Sequence, residues 1–116
     1  MFVNFERQDP ILIGHVVGPN IGQREAGIIT EAFEGALETT VGITTLQVDL
    51  ADIAFMNSMG IGMLVDLRNR TSGRKIKLIL SDVKPEVEQL LKMVRLDKLF
   101  TICTNQKQLQ KALKKG

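Results

Sequence analysis

A chain of 116 residues, 44% hydrophobic and 24% charged, has the length and composition of one folded domain; it is too short for two independent cores and too apolar for a disordered segment. The net charge is +2, and Lys111, Lys114 and Lys115 at the end suit the carbonyl end of a terminal helix; without Trp or Tyr, and with five scattered Phe, nothing resembles a base-stacking platform, so no nucleic-acid partner is expected. No run approaches about eighteen apolar residues, the start lacks a secretory pattern and the single Cys103 has no internal partner, so the expectation is a cytoplasmic protein without direct membrane insertion.

The first elements read as a hairpin. Val3 and Phe5 alternate with Asn4 and Glu6, the turn signal Gln8-Asp9-Pro10 follows, and Ile11 to Val17 is a second β-rich run. Gly18-Pro19-Asn20 breaks the chain. Ala26, Ile29, Phe33, Ala36 and Leu37 then fall at helical spacing, which predicts an amphipathic helix weakened by Gly27 and Gly35. Leu46, Val48 and Leu50 alternate with Gln47 and Asp49, the period of a third strand.

A second helix is expected from Asn57-Ser58, because either residue can cap it and Ile61, Leu64, Val65 and Leu67 form a stripe that ends before Gly73. Ile76, Leu78 and Leu80 predict another strand. Pro85 with Glu86 and Glu88 opens a third helix, whose Val87, Leu90, Leu91 and Val94 are expected to face the sheet. Leu99 to Cys103 supplies a short strand, and Thr104-Asn105 caps a terminal helix carrying Leu109, Ala112 and Leu113. Strands alternating with helices imply right-handed crossovers and a parallel portion of sheet, made mixed by the hairpin. The fold class is therefore α/β, a mixed sheet of four or five strands flanked by helices, in a single domain over residues 1–116.

Catalytic chemistry is hard to place on this sequence. His15 lies within a strand far along the chain from Cys103, so the first reads as a satisfied strand residue and the second as a small buried apolar group. Asp49 and Asp52 flank a strand end where a phosphate-receiving carboxylate could lie, yet no accompanying acidic pair or later strand-end lysine is evident. Gly60-Ile61-Gly62 lacks the rest of a phosphate-binding loop and reads as close packing at a helix start. No catalytic residue, metal site or cofactor is expected. What remains is Ser58: a phosphoryl group at a helix start would meet free N–H groups and the positive end of the helix dipole without unfolding the domain.

The series Asp49-Leu50, then Asn57-Ser58-Met59-Gly60-Ile61-Gly62 with Leu64, then Leu90-Leu91 and Leu96-Asp97-Lys98-Leu99-Phe100, resembles the STAS domain of anti-sigma factor antagonists. The resemblance runs from Ile11 to about Leu113 and includes Gly18 with the Pro19-Asn20 turn. The family's motif is usually Asp-Ser-Ser/Thr-Gly-Leu-Gly, and its phosphorylated hydroxyl residue matches Ser58. The resemblance implies a non-enzyme that works by partner switching: unphosphorylated, it binds an anti-sigma factor that is also a serine kinase; phosphorylation ends that binding, and a PP2C-type phosphatase restores it. The implied partner surface comprises Gly18, Pro19, Asn20, Asn57, Ser58, Met59 and Gly60. Asn57 stands where the family usually has Asp, and Met59 where it has a second hydroxyl residue. These departures keep open a STAS scaffold or transport-associated subunit that is not phosphorylated, and a small-molecule or nucleotide-binding module built on Gly18 to Asn20 and Asn57 to Gly62.

Overall fold

In the computed structural model, which describes residues 2–114, the hairpin forms β1 (Val3–Gln8) and β2 (Ile11–Val16), paired antiparallel with Phe5 opposite Gly14. After them come a two-residue strand β3 (Asn20–Ile21), helix α1 (Gln23–Thr39), β4 (Thr45–Asp49), a second two-residue strand β5 (Phe55–Met56) and helix α2 (Ser58–Gly73). The chain closes with β6 (Lys77–Ser81), α3 (Pro85–Met93), a 3-10 turn over Asp97–Leu99, β7 (Thr101–Ile102) and α4 (Gln106–Lys114). The main sheet has the order β1-β2-β4-β6-β7, with every neighbour after the hairpin parallel, so the mixed sheet expected to have four or five strands is present with five.

The three crossovers lay α1, α2 and α3 on one face of the sheet, because successive right-handed connections that advance in one direction return over the same side. Leu12, Leu46, Val48 and Leu80 meet Ile29 and Phe33 of α1, Leu64 and Leu67 of α2, and Val87 and Leu91 of α3 in one core. The other face carries a smaller cluster in which Leu109 and Ala112 of α4 cover Ile79 and Cys103. Burial pushes the Cys103 thiol pKa up, as befits an apolar filler.

Gly14 lets the larger core close. A Cβ there would sit 2.6 Å from the Phe33 ring, and that ring instead packs edge-on against Phe5 with centroids 5.3 Å apart. Two details depart from the sequence pattern. Val94 follows the last turn of α3 and is 44% exposed, so the stripe facing the sheet ends at Leu91; α3 stops one residue too early to carry Val94 inward. Gln47, on the polar phase of β4, is buried all the same, because the second sheet face lies under cover and Gln47 Nε2 donates to Ser81 Oγ at 3.0 Å. Lys115 lies outside the described residues. No helix among them is long and apolar enough to cross a membrane.

Candidate functional site

The site begins with the small ladder that periodicity did not reveal. β3 and β5 pair in parallel, Asn20 beside Phe55 and Ile21 beside Met56, and Asn57 N–H donates to Ile21 O at 3.1 Å. Pro19 O accepts the N–H of Ala54 at 2.8 Å, so the Gly18-Pro19-Asn20 loop is stitched to the segment that leads into α2. The loops are tied further by carboxylates: Asp52 Oδ2 accepts Gly18 N–H at 2.9 Å, and Asp49 Oδ1 accepts Ala51 N–H at 2.9 Å. Neither Asp49 nor Asp52 is thus arranged as a phosphate acceptor; both satisfy loop backbone that strands cannot pair.

Asn57 is the N-cap of α2. Its Oδ1 accepts from Met59 N–H at 2.9 Å and from Gly60 N–H at 3.2 Å, which uses two of the unpaired donors at the helix start. Ser58 takes the first helical position and is exposed, with its hydroxyl free of any hydrogen bond among the described residues. The first turn of α2 contains no acidic residue, so the positive end of the helix dipole beside the Ser58 hydroxyl meets no carboxylate of its own helix.

The two glycines that follow have different reasons to be there. A Cβ on Gly60 would lie 2.7 Å from Met56 Cβ and 3.0 Å from Ile21 O, so Gly60 is what lets α2 start directly against the β3–β5 ladder. Nothing lies within 4 Å of a Cβ on Gly62, which corrects the expectation that both glycines serve close packing. Gly62 instead opens a groove of about 520 Å³ between α1 and α2, with Ser58 and Met59 at one end and Asp66 further along.

The residues expected to form a partner surface are largely brought together. Pro19, Asn20, Asn57, Ser58 and Met59 are exposed around the β3–β5 ladder, Gly18 is half-buried at its rim, and Gly60 lies buried beneath. Met59 is 48% exposed, and Phe55, an apolar strand end not among the residues expected at the partner surface, is 54% exposed beside Asn20. The only sequence signal for Phe55 is an apolar residue next to a loop, and that signal does not distinguish core from surface.

His15 stands apart on the second sheet face. Its Nδ1 lies 2.6 Å from Asp49 Oδ2 and its Nε2 3.1 Å from Glu6 Oε1, so both ring nitrogens meet carboxylates. The Asp49 hydrogen bond, then that of Glu6, raises the His15 pKa, since the doubly protonated ring alone can donate to both. Among the described residues no cluster of three His, Cys, Asp or Glu side chains could hold a metal ion.

Comparison with known proteins agrees with this architecture. The family model of the STAS domain matches residues 2–109, nearly the whole chain. The chain belongs to the STAS domain family. An anti-sigma-factor antagonist (STAS) domain protein from Planctomyces limnophilus superposes with a TM-score of 0.81 at 16% identity, covering 95% of this chain and 96% of that one. The phosphorylated form of the Bacillus cell fate determinant SpoIIAA superposes with a TM-score of 0.67 at 14% identity, over 95% of this chain and 98% of that chain. A STAS-domain containing protein of Pseudomonas aeruginosa is 33% identical over 55 residues, 47% of this chain and 54% of that protein, so the match spans about half of each.

Proposed function

We propose that this protein is an anti-sigma factor antagonist that works by partner switching, as a substrate and binding module and not as a catalyst. The observation that carries the reading is the free, exposed hydroxyl of Ser58 at the first position of α2, held by the Asn57 cap in a first turn that has no acidic residue. In the unphosphorylated state the surface around Pro19, Asn20, Phe55, Ser58 and Met59 docks an anti-sigma factor that is a serine kinase. That kinase moves the γ-phosphoryl group of ATP to Ser58 Oγ: the new P–O bond forms, the bond to the β-phosphate breaks with release of ADP, and the hydroxyl proton leaves to the kinase's base.

The phosphorylated domain stays folded because the dianion sits at the positive end of α2, but it no longer binds, because a partner covering that spot would have to strip water from the new charge. A PP2C-type phosphatase returns the hydroxyl. Asn57 fits this cycle in a particular way: it preserves the cap that positions Ser58 and places no carboxylate beside the incoming phosphate.

The test incubates the protein with ATP and the serine-kinase anti-sigma factors of its source, and reads intact mass. The expected product carries one phosphoryl group, absent from Ser58→Ala. No transfer to wild type, with retained binding of the same partners, would leave the unphosphorylated scaffold as the reading to prefer.

A further inference from the structure

The chain's charge is divided along its length. Of fifteen Lys and Arg, thirteen follow residue 67, whereas nine of the thirteen Asp and Glu precede it. The fold turns this division into geometry, since the earlier residues build β1, β2, α1 and β4, and the later ones build β6, β7, α3 and α4 toward the opposite sheet edge. That basic edge is β7, the last strand, which among the described residues pairs with β6 alone.

Cys103 N–H donates to Leu80 O at 2.8 Å, and Leu80 is level with Ile102 in the parallel register. Alternate residues of such a ladder turn both backbone groups to the same neighbour, so Ile102 presents its N–H and C=O outward to an unoccupied edge. A cavity flanks β7 on each side. One of about 200 Å³ lies toward α2 and includes Arg68, Lys77 and Thr101; another of about 330 Å³ lies toward α4 and includes Lys77, Lys111 and Thr101. Among the described residues no carboxylate lines either, and neither Arg68 nor Lys111 takes part in an ion pair.

We propose that this edge binds an extended acidic segment of a partner protein, added as a strand beside β7. Side chains of an added strand alternate between the two faces, so successive residues reach the Arg68 cavity and the Lys111 cavity in turn. The short strand offers few main-chain bonds, and charge supplies the remainder, which makes the binding salt-sensitive. This edge lies by the C-terminal turns of α2, roughly 20 Å along the helix from Ser58 at 1.5 Å per residue, so it is independent of the switch proposed above. The acidic segment therefore stays bound whether or not Ser58 is phosphorylated.

The test is a titration of isotope-labelled full chain with a heptapeptide in which Glu and Val alternate in pairs, Glu-Glu-Val-Val-Glu-Glu-Val, so that both faces of the added strand carry carboxylates, alongside the Lys-Val counterpart and a single-stranded oligonucleotide. Amide shifts are expected at Ile102 and its neighbours with the Glu-Val peptide only, diminishing as salt is added. Lys111→Glu, and separately Arg68→Glu, should weaken the peptide about tenfold with an unchanged circular dichroism spectrum, since each replaces an attraction by a repulsion. Shifts elsewhere on the protein, equal affinity of the variants, or equal binding of the Lys-Val peptide would overturn the proposal. Tighter binding of the oligonucleotide at the same residues would overturn it too, in favour of a nucleic-acid face.

Discussion

The N-termini of α1 and α2 are neighbours, and they are finished differently. A Cβ on Gly22 would lie 3.9 Å from Asn57 Nδ2, so the two helix starts nearly touch. At α1 the cap residue is glycine, which has no side chain to give, and Glu25 reaches back to accept Gly22 N–H at 2.8 Å; its carboxylate also offsets the dipole. At α2 the cap is a neutral amide, the first turn has no acid, and the exposed position is a hydroxyl. One end carries a carboxylate in its own first turn, and the other carries an exposed hydroxyl there and borrows no acid from its own helix.

The strongest test of that contrast is a charge at Ser58. Ser58→Ala should keep the fold and the kinase partner's affinity, whereas phosphorylation should weaken binding by on the order of thirty-fold to a few thousand-fold, the effect of about 2–5 kcal/mol for a charge left poorly paired in an interface. Ser58→Asp carries about half that charge and should fall short of the phosphate. Calorimetric titration reads all three, and equal affinities would remove Ser58 as the switch.

Next in size are the glycines of the same helix start. Gly60→Ala should destabilise the domain by about 1–3 kcal/mol, since its Cβ must push Met56 and the Ile21 carbonyl. Gly62→Ala should stabilise it by about 0.5–1 kcal/mol through helix propensity, since that Cβ meets nothing. Urea denaturation of both variants decides the matter, and a like effect of the two would mean that α2 does not sit on the β3–β5 ladder as described.

The caps themselves should differ by less. Asn57→Ala is expected to cost about 1 kcal/mol, because Met59 and Gly60 lose their acceptor. Glu25→Ala should cost no more than that, its bond being to a single N–H. Hydrogen exchange in the first turn of each helix would separate the two ends.

The smallest effect belongs to His15. Its pKa is raised in the folded state, so its contribution to stability is fully present below the unfolded value of about 6.5 and is lost as pH rises through the higher folded value. Asp49→Asn should bring the His15 titration, followed by NMR, back toward the ordinary imidazole range. His15→Gln should flatten the stability profile in that window. A His15 midpoint unchanged by Asp49→Asn would show that the Asp49 hydrogen bond is not what holds the proton.

The sequence by itself determined most of the frame. Periods of two and of three to four residues, with Pro85 and the Asn57 and Asn105 caps, marked every α-helix and every strand longer than two residues, though not the 3-10 turn over Asp97–Leu99, because local sterics and one-sided burial act through near neighbours; Asn105 Oδ1 indeed accepts Gln108 N–H at 2.8 Å. It also pointed to Ser58, since a capped helix start is written in adjacent residues. Only the tertiary structure decided what depends on distant ones. The β3–β5 ladder is too short to show a period and exists because Pro19 and Ile21 oxygens accept from residues 54, 55 and 57. Gly60 and Gly62 look alike in the sequence and differ because one faces Ile21 and the other faces a groove. Val94 keeps the stripe's spacing but falls beyond the end of α3, and Phe55 is an aromatic residue left in solvent; whether an apolar side chain is core or contact surface is set by what the remainder of the chain brings over it.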